Sequence, residues 1–172
     1  METFARFLAR RRVTLGFVFA VGVLYFAVPT RASLLAGATI GLVGESVRLW
    51  AAGHLEKSRE VTTSGPYRFS RHPLYLGSSI MALGIAVACR STVVAVLVFV
   101  YMATTIAAAI RTEEAFLRAR FGDAYDAYAE ARAPLVERRF SLERAWRNKE
   151  YRALTGLVVA FLLLVIRAWL AR

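Results

Sequence analysis

The chain has 172 residues, room for one domain, and is 58% hydrophobic with a mean hydropathy of +0.48 and a formal charge of +11. That is too apolar for an ordinary soluble domain. One cysteine excludes an intrachain disulfide and a cysteine metal cluster, two histidines offer little to a His-rich metal site, and no P-loop, dinucleotide fingerprint or internal repeat is present.

Arg6, Arg10, Arg11 and Arg12 precede an apolar run, Val13–Val28. A charged start and an apolar run have the form of a signal peptide. Pro29-Thr30-Arg31 follows instead of a small-residue cleavage site, and four further apolar runs favour a retained membrane protein. Five spans are predicted, at about 13–29, 32–52, 73–89, 92–110 and 153–170. At 1.5 Å per residue these can cross roughly 30 Å of hydrocarbon, the third being the shortest. The expected fold is a single all-α, polytopic membrane domain of about five transmembrane helices.

The basic residues orient it. With the N-terminus in the cytoplasm, that side receives the N-terminal arginines, then Lys57, Arg59, Arg68 and Arg71, then the basic stretch from Arg111 to Arg152. The other side receives Arg31, Arg90 and Arg172, with Arg167 near its edge. The expected arrangement is therefore multi-pass, N-terminus cytoplasmic and C-terminus outside, in the inner membrane if the source is bacterial. The positive charge then serves topology and contact with anionic lipid, not nucleic acid.

The second span carries Gly37, Gly41 and Gly44, a spacing that lets helices approach closely. It also carries Glu45 and Arg48, one turn apart. They are expected either to pair with each other, Arg48 snorkelling, or to line a polar cavity. A loop of about twenty residues follows, turning at Gly65-Pro66. His54, in that loop's approach, is expected at the interface without a partner.

Ser64 to Gly77 holds two arginines, one histidine, two prolines and two tyrosines. Pro73 suits the first position of a helix, which puts His72 near its N-cap. His72, Tyr75, Leu76 and Ser79 then share a face. Spans three and four are joined only by Ala88-Cys89-Arg90-Ser91, so they form a tight antiparallel hairpin. Cys89 is expected to serve packing. The hairpin returns Glu113 and Glu114 to the neighbourhood of Arg71, His72 and Tyr75. The fourth helix should continue to Phe121, stop at Gly122 and restart with Asp123 as N-cap. Phe116, Phe121, Tyr125 and Tyr128 form an aromatic face, for packing or for walling a lipid-like substrate channel. Residues 134–152 alternate basic and apolar groups, as in a helix lying on the membrane surface. The fifth span is expected to anchor.

Arg71-His72-Pro73-Leu74-Tyr75-Leu76-Gly77, a helix hairpin, Glu113-Glu114-Ala115-Phe116-Leu117 and Phe121-Gly122-Asp123-Ala124-Tyr125-Asp126-Ala127-Tyr128 together resemble one family. This is the isoprenylcysteine carboxyl methyltransferase family of integral membrane methyltransferases, whose relatives include phospholipid N-methyltransferases. The match covers about residues 48–136. The resemblance implies S-adenosylmethionine as cofactor, bound at the cytoplasmic face. It implies His72, Pro73, Tyr75, Leu76, Gly77, Glu113, Glu114 and Tyr67 as cofactor-binding residues, and Arg71 and Glu114 as catalytic ones. Arg71 would serve the methionine carboxylate or the acceptor, and the Glu pair the ribose or amino group. After the tyrosine pair, Ala131-Arg132-Ala133-Pro134-Leu135-Val136 departs from the ending of prenylcysteine methylators, so the acceptor side is matched less well.

The chemistry agrees with that implication. A sulfonium is favoured by carboxylates and aromatic faces, a cofactor carboxylate by a guanidinium, and methyl transfer by placement and exclusion of water. The expected acceptor is lipophilic, most like isoprenylcysteine. A phospholipid amine or a small thiol is the alternative. A membrane reductase using NADPH is disfavoured by Leu74 and Ser78 where polar groups would stand, and a scaffold leaves the polar cluster unexplained.

Overall fold

The structure, a computed structural model, describes residues 19–171. Those residues form helices and connecting segments without a strand: α1 (19–26), α2 (Arg31–His54), α3 (Pro73–Cys89), α4 (Thr92–Phe121), α5 (Asp123–Ala129), α6 (Leu142–Arg147) and α7 (Tyr151–Leu170). Residues 13–18 of the first expected span lie outside the described residues. α2, α4 and α7 are each long and apolar enough to cross a membrane, and α3 is a shorter apolar helix of 17 residues. Phe99 and Leu35 are each more than two-thirds exposed on helices that carry almost no charge there. In water such a surface would be a liability; in lipid it is the solvated face. The chain is a membrane protein.

Local chemistry sets the helix starts. Thr30 and Ser33 form a reciprocal capping box at the head of α2. Pro73 opens α3 behind His72. Arg90 takes a left-handed conformation (φ 49°) and Ser91 caps α4 through Val94 N–H, so α3 reverses into α4 across two residues. The hairpin is as short as expected.

α2 and α3 form the most intimate helix pair, and glycine is the reason. A Cβ on Gly44 would stand 2.7 Å from the Gly77 carbonyl oxygen, and one on Gly77 would stand 2.7 Å from the carbonyl oxygen of Gly44. Gly37 and Gly84 meet backbone to backbone in the same way two turns further along. The small-residue stripe of α2 thus has a defined partner, and Gly77 belongs to that seam.

The helices alternate in direction, so their ends fall at two poles. At one pole Val28 N–H donates to the Cys89 carbonyl (2.9 Å) and the Ser33 hydroxyl to the Ala88 carbonyl (3.0 Å). The core there is Val23, Ala27, Ala88, Cys89, Val94, Val98 and Leu164, with Cys89 fully buried. At the other pole lie the end of α2, the start of α3, the end of α4 and the start of α7.

Residues 134–150 do not form the expected surface helix. Most of 133–141 is irregular, and α6 is only six residues long. The segment is pinned across the end of α2. Asn148 Nδ2 donates to the carbonyls of Ala52 and Leu55 (2.9 Å each), Ser141 N–H donates to Gly53, and Arg138 donates to His54 (3.2 Å). These are carbonyls that a helix end leaves without intrahelical partners. The basic residues serve backbone acceptors and Glu56, not lipid alone. Glu56 accepts from Arg144 (2.9 Å) and Arg147 (3.3 Å).

Three smaller expectations are corrected. The N-cap of α5 is Gly122 (φ 49°), not Asp123, which is the first helical residue. Glu45 does not pair with Arg48; Arg48 forms a two-point ion pair with Glu150 at the start of α7 (2.7 and 3.1 Å). His54 is buried rather than interfacial, its Nδ1 2.9 Å from the Trp50 carbonyl and its ring against Phe140.

Candidate active site

A cavity of about 770 Å³ opens at the pole where α3 begins and α4 ends. Four parts of the chain build its walls: the end of α2, the 55–72 loop, the first turn of α3, and α4 with α5. The loop can follow this wall because Gly65 adopts φ +57°, and a side chain there would run into the His54 ring. Gly65–Arg68 then forms one turn of 3₁₀ helix that buries Tyr67 against the cavity.

His72 is the N-cap residue of α3, yet its side chain makes no capping bond. Its Nε2 lies 3.1 Å from Glu114 Oε1. Arg71 Nη1 lies 3.3 Å from that same oxygen. One carboxylate oxygen on α4 therefore holds two consecutive residues of the loop. The helical run makes this possible by continuing past the apolar stretch, which ends at Ile110, for a further eleven residues. Glu113, one residue earlier, faces the cavity instead.

α5 folds back under the loop. The Tyr128 hydroxyl donates to the Tyr67 carbonyl (2.8 Å), with a longer contact to the carbonyl of Ser70 (3.4 Å). Burial, reinforced by the neighbouring Tyr125, pushes the Tyr128 hydroxyl up to about 12, so it remains a donor at neutral pH. Burial raises Tyr67 and Tyr125 as well. Tyr125 is 1% exposed, lines the cavity, and its hydroxyl has no hydrogen-bond partner among the described residues.

Of the residues implied by the motif, Tyr67, Arg71, His72, Pro73, Tyr75 and Glu113 line the cavity. Glu114 stands behind them as the acceptor for Arg71 and His72. Leu76 and Gly77 do not line it. Leu76 is half-exposed on the outer face of α3, and Gly77 is filled from the side by Arg48 and α2. Arg48 is the residue whose place was left open. It lines the cavity, donates to the Leu74 carbonyl (3.2 Å) and the Ser78 hydroxyl, and is anchored by Glu150. Its spacing to Glu45 pointed to a local pair; a partner 102 residues away leaves no signal in a helix pattern.

The phospholipid methyltransferase family matches residues 17–124, and the chain belongs to that family. Two curated relatives are similar over 62% of this chain. The cobalt-zinc-cadmium resistance protein CzcN of Cupriavidus metallidurans is 36% identical, with 51% of its length covered. The nickel-cobalt-cadmium resistance protein NccN of Alcaligenes xylosoxydans xylosoxydans is 34% identical, with 52% covered. The protein-S-isoprenylcysteine O-methyltransferase of Schizosaccharomyces pombe is 34% identical over 49% of this chain and 36% of its own length. The chain thus spans about half the length of the first two and about a third of the last. No solved structure matches. Among the described residues no three metal-binding side chains stand together.

Proposed function

We propose that this chain transfers a methyl group from S-adenosylmethionine to a lipophilic acceptor at the membrane, most like carboxyl methylation of isoprenylcysteine. The observation that carries the reading is the cavity in which Arg71, His72 and Glu113 converge, with Tyr67, Tyr75 and Tyr125 in its walls. The donor set fits such a cofactor. Arg71 offers a guanidinium for a carboxylate, Glu113 a carboxylate for a ribose diol or an ammonium, and Tyr67, Tyr75 and Tyr125 aromatic surface for a cation. The bound cofactor would supply an activated methyl on a sulfonium. Glu114 fixes Arg71 and His72, and Arg48 fixes the first turn of α3 through the Leu74 carbonyl, so the polar walls are oriented before anything binds. Ala108, Ala109, Phe116 and Leu117 give the cavity an apolar side on α4, suited to an acceptor with a hydrocarbon tail.

In this reading five spans cross the membrane, the N-terminus is cytoplasmic and the cavity faces the cytoplasm. The printed name of the fission-yeast relative favours a prenylcysteine carboxylate. The family's name favours a phospholipid amine as the second candidate acceptor. A carboxylate or thiolate already carries its nucleophile, whereas an amine must first lose a proton. The test is incubation of the membrane-embedded protein with deuteromethyl cofactor, total host lipids and a farnesylcysteine analogue, followed by mass spectrometry. A mass gain on the analogue or on one lipid class identifies the acceptor. Cofactor binding without any labelled product would remove the methyl-transfer reading.

A further inference from the structure

A second concavity, of about 440 Å³, lies at the end of α2 and takes no part in the proposed reaction. Trp50, His54 and Gly65 line it, together with the charged side chains of Arg68, Glu137, Arg138 and Arg139. Arg138 is satisfied by Glu60 (2.6 Å) and the His54 carbonyl. Arg68 meets only Glu137, at 4.0 Å, and the Glu137 side chain is 94% exposed, so the contact holds neither residue in place. Arg139 has no ion-pair partner among the described residues. The groove therefore carries two guanidiniums with little compensation.

Its lip is apolar. Phe69 is 82% exposed and its ring lies 6.5 Å from that of Trp50. Trp50 is seven residues after Val43, on the same face of α2, and both are exposed. That face is part of the outer surface of a helix long and apolar enough to span the bilayer, and Trp50 stands one turn before its last residue. The groove thus continues the lipid-facing stripe at the depth where tryptophan meets headgroups. Towards water the Phe69 ring would be a cost; between headgroup and acyl chain it is a gain.

We propose that this groove binds the headgroup of an anionic phospholipid, Arg68 and Arg139 holding the phosphate while Trp50 and Phe69 lie against the first part of the acyl chains. The chemistry recognised is a phosphate ester. The apolar lip assigns it to the membrane rather than to a soluble phosphate. The site is independent of the methyl acceptor.

Trp50 can report on it. With Trp146→Phe and Trp169→Phe it becomes the one tryptophan of the chain. The protein is reconstituted in phosphatidylcholine vesicles containing rising fractions of phosphatidylglycerol brominated high on its chains, or of phosphatidylcholine brominated alike. Brominated phosphatidylglycerol is expected to quench Trp50 with roughly three- to tenfold preference. Arg68→Gln with Arg139→Gln should bring the preference to about one, while Glu137→Gln should raise it. Unchanged quenching by brominated phosphatidylcholine in the double variant shows that Trp50 still lies at the bilayer edge. Equal quenching by both lipids in the parent, or a preference that survives loss of both arginines, overturns the proposal. Relief of quenching by millimolar glycerol phosphate overturns the membrane source in favour of a soluble phosphate.

Discussion

Oε1 of Glu114 lies 3.1 Å from Nε2 of His72 and is shared with Arg71 at 3.3 Å, whereas Glu113 beside it points into the cavity. The two neighbouring carboxylates therefore have different duties, and substitution separates them. Glu113→Gln is expected to leave thermal stability within about 0.5 kcal/mol, as for a surface change. It should weaken S-adenosylmethionine binding by roughly one to two decades, the loss of one charge-assisted hydrogen bond of about 1.5–3 kcal/mol. Glu114→Gln should lower both affinity and melting temperature, because the shared charged acceptor of His72 and Arg71 becomes a neutral amide oxygen that holds a guanidinium far less strongly. Calorimetry in detergent beside a melting curve reads both. Equal behaviour of the two variants would dissolve the distinction.

The glycine seam makes a second prediction. Gly77→Ala or Gly44→Ala drives a methyl into facing backbone and should cost about 1–3 kcal/mol, the usual range for overpacking. Gly156→Ala, with nothing within 4 Å of the added methyl, should be neutral or slightly stabilising. If Gly77→Ala lost cofactor affinity at unchanged stability, its place would be in the binding site and not the seam.

Removal of Glu150, itself 5% exposed, leaves the mostly buried guanidinium of Arg48 (19% exposed) without its counter-charge. Glu150→Ala is expected to cost about 3–5 kcal/mol. The apolar pair Arg48→Met with Glu150→Leu should restore most of that, while cofactor binding stays impaired because Arg48 also orients Leu74 and Ser78. Thermal melts of the single and double variants decide.

Acid should loosen the segment across α2. Burial alone would raise Glu56, but the hydrogen bond from Arg144 and the charges of Arg147, Arg144 and Arg138 outweigh it and hold the carboxyl below its ordinary value. The folded pKa is below the unfolded one. Its contribution is therefore complete above the unfolded value, about 4.3, and is lost as pH falls through the folded value. Protection of the amides in peptides covering 138–148, taken relative to intrinsic exchange at each pH, should fall below about pH 4. Glu56→Gln should show the lowered protection already at neutral pH. Protection that stays constant from neutral to acid in the wild type would remove Glu56 as the clasp's acceptor.

The cavity was readable because its parts are tied by short-range facts. A connection of two residues forces α4 back along α3, and Pro73 at the first helical position fixes where His72 stands, so Glu114 and His72 had to meet. The glycine stripe announced a close neighbour without naming it. What could not be read depends on contacts between distant segments. Arg48 had an acidic residue one turn away and took another from α7. The alternation of basic and apolar residues in 134–152 is compatible with a membrane surface or with protein acceptors, and only the packed end of α2 shows that Arg138, Arg144 and Asn148 serve the second. His54 has a backbone carbonyl, that of Trp50, as its local partner, which no side-chain pattern displays, and Gly65 and Phe140 close over it from two different loops.

Every side chain that lines the cavity has been synthesised by Tyr128, yet two of the groups that hold its floor in place, Asn148 and Glu150, come later. During translation the nascent chain therefore carries every cavity-lining residue before the contacts that fix their geometry can form. The carbonyls of Ala52 and Leu55 lack the Asn148 amide and Arg48 lacks its counter-charge until α6 and the first turn of α7 have left the ribosome. The packed geometry of the cavity wall is therefore complete only once α6 and the first turn of α7 have been made.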